Sequence, residues 1–328
     1  MSPKVLIIGG TGNISVSIVH RLLQSGYEVS VFNRGTRNVS FPADVGVMTG
    51  DRNDRADFEA AMRGKKFDAV IDMMCLSEED ALSTLRAFPE VGQLIFCSTV
   101  CALGIQSDYF PVDETHKLRP VTPYGKGKAA AEAVFLAEYY RSGYPVTIIR
   151  PSVTYGRLPT IVRQIGWDNA WIDRIRKGKP ILVAGDGMAL CQFLHVDDAA
   201  LGFVGVIGKE RCLGQVYHLV KDEVVTWNEY HRAAMHALGR EAEIIGAPMR
   251  LLRKSNIPGF DICAEVFCHH SYYDGAKIAR DVPEFKPAIS LEKGLEMTFE
   301  YLDSNGLIPS CEEAAWEDDI ITLMEPLL

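Results

Sequence analysis

No run of apolar residues in this 328-residue chain approaches the roughly 18 that a membrane-crossing helix needs. The amino terminus holds one lysine between Met1 and Gly9 and passes straight into Val5-Leu6-Ile7-Ile8, with no apolar core or cleavage site of a signal peptide. Positive charge is also short. Lys and Arg number 34 against 43 Asp and Glu, for a formal net charge of −9, which argues against a general nucleic-acid or anionic-membrane binder. Any bound anion must be met by local dipoles and a few placed cations. Internal repeats, low-complexity segments and metal-ligand spacings are missing; His269-His270 is an incidental pair, so no metal is expected. The 8 cysteines, without paired spacing, read as reduced thiols. The expectation is a soluble cytoplasmic protein that handles a small molecule, with no nucleic-acid or membrane partner.

What is present is an alternation of two hydrophobic periods. Strand-length β-branched runs lie at Lys4–Ile8, Glu28–Phe32, Ala69–Asp72, Gln93–Cys97 and Val146–Ile149. Helical patterns fall between them at Ile14–Gln24, Asp54–Met62, Glu79–Phe88 and Lys126–Ser142. Such alternation implies right-handed βαβ units: an α/β fold with a Rossmann-type, doubly wound parallel sheet, whose ligands bind beyond the carboxyl ends of the strands. After Pro151 the rhythm loosens, and from Trp227 onward it is mostly helical and irregular. Residues 1–156 are therefore expected to form the first domain, with 193–222 returning to it. Residues 157–192 and 223–328 would form a smaller, mostly helical cap. The acidic stretch Glu312–Leu328 reads as a closing helix anchored by Trp316, Ile320, Ile321 and Leu323.

The first strand leads into Gly9-Gly10-Thr11-Gly12-Asn13-Ile14-Ser15 and then a helix. Gly9 suits a tight turn, and Gly12 lets the backbone approach a pyrophosphate seated on the N–H groups and positive dipole end around Asn13 and Ile14. The second strand ends in Asn33-Arg34, with Arg37 close behind, where NAD enzymes usually carry a carboxylate. A guanidinium there suits a 2′-phosphate, so NAD(P) is expected, with NADP favoured over NAD. Asp51, after the Val45–Met48 run, can accept from an adenine amino group or serve a plain turn.

Tyr124-Gly125-Lys126-Gly127-Lys128 opens the long helix and puts Tyr124 and Lys128 on one face. An ammonium beside a phenol favours phenolate and suits Tyr124 to general-base work, while the same lysine can bond a nicotinamide ribose. Ser98-Thr99 follows the fifth strand and brings hydroxyls to the same edge.

In this order, Gly9–Ser15, Ser98–Gly104, Asp113-Glu114, Tyr124–Lys128, Arg150–Gly156 and His195-Val196-Asp197-Asp198 resemble the extended short-chain dehydrogenase/reductase family, its nucleotide-sugar epimerase/dehydratase group. The resemblance implies Thr99 as the substrate hydroxyl partner, Tyr124 as base and Lys128 as the ribose-binding cation. It also implies Ser98 and Met73 near the cofactor, Pro151 to Val153 beside the nicotinamide, a cap that binds substrate, and a homodimer. His195–Asp198 would be a structural return.

Departures from the family pattern narrow the reaction. Val100 and Cys101 stand where 4,6-dehydratases carry Asp-Glu, which sets that branch aside. Cys101 lies at the offset where related epimerases place a thiol acid/base, although a buried core thiol is the plainer reading. Cys191 replaces an arginine that meets substrate pyrophosphate in the family, a contact worth roughly 1.5–3 kcal/mol. Either Arg157, Arg163 or Arg250 substitutes for it, or the substrate is not a nucleotide diphosphate sugar. The leading expectation is epimerase-type transient oxidation of a secondary alcohol on a sugar or nucleotide-sugar-like substrate. An NADPH-dependent carbonyl reductase is the alternative, and a dinucleotide-sensing or RNA-associated binding protein the third.

Overall fold

The computed structural model describes residues 2–37 and 39–324. The chain divides into two compact units: Met1–Ser152, Val196–Val220 and Tyr273–Pro287 in the first, Val153–His195, Lys221–Tyr272 and Ala288–Leu328 in the second. This division departs from the sequence-based boundaries. The first unit stops at Ser152, recovers the chain at Val196, and takes in 273–287, which the sequence placed in the cap.

The first unit is built on a seven-stranded, all-parallel sheet. Its strands are β1 (Lys4–Ile8), β2 (Glu28–Asn33), β3 (Gly46–Thr49), β4 (Ala69–Asp72), β5 (Leu94–Cys97), β6 (Val146–Pro151) and a late strand, Gln215–Leu219. Across the sheet the order is Gln215–Leu219, β6, β5, β4, β1, β2, β3. The chain winds outward from β1 to β3, then crosses back to β4, so the order reverses between β1 and β4. That reversal opens the crevice in which doubly wound folds bind ligands. β4, β5 and β6 are buried at every position, which is why they read as continuous apolar runs without alternation.

The covering helices are α1 (Asn13–Gln24), α2 (Arg55–Met62), α3 (Glu78–Ala87) and α4 (Pro123–Ser142). Their starts are written in capping residues: Asp54, Ser77 and Thr122 each accept from a backbone N–H in the first turn, and Pro123 stands at the opening of α4. The return helix, Val196–Gly205, packs on α1, and Ser17 donates to Asp197 at 2.6 Å.

The second unit gathers Trp171, Trp227, Tyr230, Phe193 and Phe299 into an aromatic core beside short paired strands. The acidic carboxyl-terminal stretch forms the helix Trp316–Met324, with Ile320 and Met324 buried. Leu323, expected to be an anchor, is 62% exposed. Glu317 locks this helix down: Arg163 donates to both its oxygens at 2.9 and 2.8 Å, and the Leu182 N–H adds a bond of 2.9 Å. Residues 325–328 of the acidic stretch lie outside the described residues.

Each unit buries a neutral histidine, His218 in the first and His231 in the second. Burial, reinforced by Arg150 and Arg163 respectively, pushes each imidazole down to about 3 from 6.5. Between those values the unfolded chain binds more protons than the folded one. Stability is therefore expected to fall as pH drops from about 6.5 toward 3, each histidine adding up to about 1.4 kcal/mol per pH unit. Urea midpoints measured across this range should show a shallower acid slope in His218→Asn and His231→Asn than in the parent.

Candidate active site

The crevice carries a cavity of about 360 Å³ at the carboxyl ends of β1, β2 and β3. Its lining includes Gly9, Thr11 and Gly12 of the glycine turn with Met74 beside them, Asn33, Arg34 and Arg37 at and after the end of β2, and Asp51, Arg52, Asn53 and Leu76. The turn takes a left-handed conformation at Gly9, with φ +87. Gly12 opens α1 with no side-chain cap, and the first turn holds no carboxylate. Its amide N–H groups and dipole are thus directed at whatever enters. Asn13 carries a buried side-chain oxygen without a hydrogen-bond partner, and Ile14 is buried behind it.

Arg37 donates to the Thr11 carbonyl at 3.1 Å, spanning from the β2 end to the glycine turn. Asn33 accepts from the Gly35 N–H at 2.8 Å, and Arg34 is exposed on the cavity rim. Asp51 lines the cavity while accepting from the Asn53 N–H at 2.9 Å, the bond of a plain turn. A cationic rim, an open helix start and one acceptor fit the phosphates and adenosine of a dinucleotide. Thr11, Thr36, Arg52, Asn53 and Leu76 in the lining were not foreseen. Arg52 in particular has no local signature: its guanidinium lies over Phe58 and donates to the Asp80 carbonyl at 2.5 Å and to Thr84 at 2.8 Å.

Met73, expected near the cofactor, does not line this cavity. Asp72 accepts from the Met74 N–H at 3.0 Å, and the Met74 side chain lies where a Cβ on Gly9 would fall, 2.3 Å from its Cγ. Met74, not Met73, borders the cavity.

At the edge of β5 the catalytic candidates converge. Thr99 is extended (φ −165, ψ 150), and its hydroxyl accepts from the Cys101 N–H at 3.2 Å. The same hydroxyl lies beside the Tyr124 phenol and the Cys101 thiol and pulls both downward. Lys128, 1% exposed, donates from Nζ to the Cys97 carbonyl at 2.5 Å and stands 5.8 Å from the centre of the Tyr124 ring. Two glycines permit this approach: a Cβ on Gly125 would stand 2.5 Å from the Cys101 carbonyl oxygen, and one on Gly127 2.1 Å from that of Leu76.

The electrostatics differ from the sequence expectation. Tyr124 is 48% exposed overall, yet its hydroxyl end is enclosed. That burial pushes the phenol well above its ordinary value, with only the Thr99 hydrogen bond pulling it down. The ammonium of Lys128, committed to a carbonyl, does not bring about the expected lowering. Burial likewise raises the Cys101 thiol, which favours the neutral SH form.

Ser98 is not among the residues that line the cavity. It is buried, and its hydroxyl donates to the carboxylate of Glu132. Pro151 ends β6, fully within the sheet, while Val153 begins a short strand of the second unit. Cys191 is buried in the aromatic core of that unit, and Arg163 is spent on Glu317, so Arg163 cannot stand in for a pyrophosphate-binding arginine. Arg157 and Arg250 are exposed.

Sheet, glycine turn and Tyr–Lys helix together define a dinucleotide-dependent oxidoreductase of the extended short-chain dehydrogenase type. The chain belongs to the NAD-dependent epimerase/dehydratase family, whose profile matches residues 5–219. Among curated proteins it is 29% identical to 2′-dehydrokanamycin reductase of Streptomyces kanamyceticus, over 75% of this chain and 69% of that one. It is 26% identical to the chloroplast stem-loop binding protein of 41 kDa b from Arabidopsis thaliana, over 89% and 77% respectively. Among solved structures, UDP-glucuronic acid 4-epimerase from Bacillus cereus, in complex with UDP-glucuronic acid and NAD, superimposes with a TM-score of 0.72. It is 20% identical, and the match covers 92% of this chain and 99% of that one.

Gly127→Ala should push α4 off the Leu76 carbonyl and cost about 1–3 kcal/mol by overpacking. A lower unfolding temperature and weaker dinucleotide binding are expected together, while Gly143→Ala beyond the helix, with open space around it, should leave dinucleotide binding intact.

Proposed function

We propose that this protein moves a hydride between NADP and a carbon that alternates between secondary alcohol and ketone on a sugar-like substrate, in an epimerase-type cycle of transient oxidation. The observation that carries the reading is the convergence of Thr99, Cys101, Tyr124 and Lys128 at the carboxyl edge of β5. The nicotinamide supplies the hydride acceptor and donor. The remaining work belongs to side chains. The Thr99 hydroxyl holds the substrate oxygen, and the phenol oxygen of Tyr124 exchanges a proton with it. Lys128 supports the ribose and the helix turn beneath Tyr124. Cys101 stands beside Thr99 as a neutral thiol, a weak hydrogen-bond donor toward the substrate. Arg34 and Arg37 meet a 2′-phosphate, which favours NADP, and the second unit serves as the substrate cap. A homodimer through the nucleotide unit belongs to the same reading, supported by the solvent-facing Leu82 on α3 and Tyr140 on α4; the buried thiols of Cys75, Cys97 and Cys212, none of them in a disulfide, support a cytoplasmic setting.

Net reduction of a ketone by NADPH is the second reading, and one observation favours it. The raised phenol of Tyr124 is a proton donor at neutral pH, which is the form reduction requires. The reductase relative supports the same direction. Commitment of Arg163 to Glu317 and burial of Cys191 support a substrate without a diphosphate.

Denaturing the purified protein and weighing the released dinucleotide separates the two. Stoichiometric, retained cofactor is expected for the epimerase cycle and reversible NADPH uptake for the reductase; neither would overturn both. Tyr124→Phe should lower turnover by at least about a hundredfold, the size of a general acid–base contribution, with dinucleotide affinity within twofold; retained turnover would remove its proton role. Arg34→Ala should weaken NADP by about tenfold to a hundredfold, in line with a lost charge-assisted hydrogen bond, and leave NAD nearly unchanged in a fluorescence titration. Equal losses would overturn the 2′-phosphate assignment.

A further inference from the structure

Tyr124, Lys128 and Glu132 follow one another at four-residue spacing along a single face of α4. The first two belong to the site already described. Glu132, 1% exposed, belongs to nothing yet named. We propose that Glu132 is a positioning residue: through Ser98 and Arg150 it sets the chain beyond β5 so that the Thr99 hydroxyl meets the Tyr124 phenol. The inference rests on the proposed pairing of Thr99 and Tyr124.

The geometry is a clamp of two helix turns on two consecutive residues. Lys128 grips the carbonyl of Cys97 at 2.5 Å. One turn later Glu132 accepts from the hydroxyl of Ser98, and holds Arg150 of β6 in a bidentate pair at 2.9 Å to Nε and 2.5 Å to Nη2. The chain leaving β5 stays extended through Thr99. In extended backbone successive side chains point to opposite sides, so turning Ser98 inward turns Thr99 outward. The outward hydroxyl is the one that accepts from the Cys101 N–H, on the segment against which the start of α4, with Tyr124, is packed.

Stability alone does not account for the clamp. Arg150 is 3% exposed, and its remaining nitrogen, Nη1, is buried without a hydrogen-bond partner among the described residues. Apolar residues of similar volume at such a pair are often neutral or stabilising. What they cannot do is accept from Ser98 and hold β6 with one group. An ion pair kept only as packing would not couple to Thr99.

The test uses the full-length protein labelled with ¹³C at tyrosine Cζ, the Tyr124 signal being identified by its loss in Tyr124→Phe. The Cζ shift at neutral pH reports hydrogen bonding to the phenol oxygen and needs neither substrate nor turnover. Ser98→Ala is expected to move this signal in the same direction as Thr99→Ala, and the double variant to move it no further. A signal unmoved by Ser98→Ala but moved by Thr99→Ala overturns the proposal. In turnover, Ser98→Ala should lower kcat by about tenfold with KM within twofold, and the losses from Ser98→Ala and Thr99→Ala should be strongly non-additive; fully additive losses also overturn it. Glu132→Gln, which keeps shape and an acceptor, should fall between the parent and Ser98→Ala in both measurements. Should Glu132→Gln fail to fold, Ser98→Ala carries the test unaided. A parent protein that takes hydride from no alcohol and gives it to no ketone would overturn the proposed function but leave the Cζ comparison readable, so the two failures are distinct.

Discussion

The bond from the Lys128 ammonium to the carbonyl of Cys97 fixes the distance between α4 and the carboxyl edge of β5, and the site hangs from that distance. A helix bearing ordinary side chains on this face could not come so close. Gly125 and Gly127 remove the Cβ atoms that would strike the Cys101 and Leu76 carbonyls, so a residue type that weakens helices is used where approach matters more than propensity. Thr122 and Pro123 secure the helix start, and Gly143 ends the helix in a left-handed turn. Once α4 is seated, Tyr124, Lys128 and Glu132 share one face toward the strand ends, and the hydroxyl, ammonium and carboxylate act on three successive residues, 97 to 99.

The cofactor end solves a different problem, that of holding a polyanion in a protein of net charge −9. Local field replaces overall field. The uncapped start of α1, the Arg34 and Arg37 guanidinium groups, and the absence of a carboxylate in the first helical turn concentrate positive potential in one cavity. Met74 folds over Gly9 and narrows that cavity with a flexible thioether. The second unit spends its cations inwardly: Arg163 and Arg174 both surround Glu317 and its neighbour Asp318, holding the carboxyl-terminal helix on the unit's core. An arginine that looks available in the sequence is thereby removed from substrate recognition.

Much of this was legible in one dimension, because the relevant signals are local. Strand length, helical period, capping residues and the glycine turn each depend on neighbours within a few residues, and they specify a doubly wound sheet with its ligand crevice at the strand ends. The Tyr124–Lys128 pair was legible for the same reason, since four residues make one helical turn. Glu132 continues that row, but a glutamate in an alanine-rich helix reads as a solvated residue until Arg150, 18 positions on, is brought beneath it. The family resemblance already singled out Thr99 for the substrate hydroxyl, but only the side of the strand on which Glu132 lies shows that Ser98 turns to the interior.

The sequence by itself determined the sheet, the order of its motifs and the residue types available at its edge. Tertiary structure alone decided that Ser98 turns to Glu132, that Met74 and not Met73 borders the cavity at the glycine turn, that Arg163 is consumed by Glu317, and that the Tyr124 phenol is raised where a lowered one was expected. The physical reason is common to all four. Each depends on desolvation or on a partner far along the chain, and both are set by packing, which periodicity does not encode.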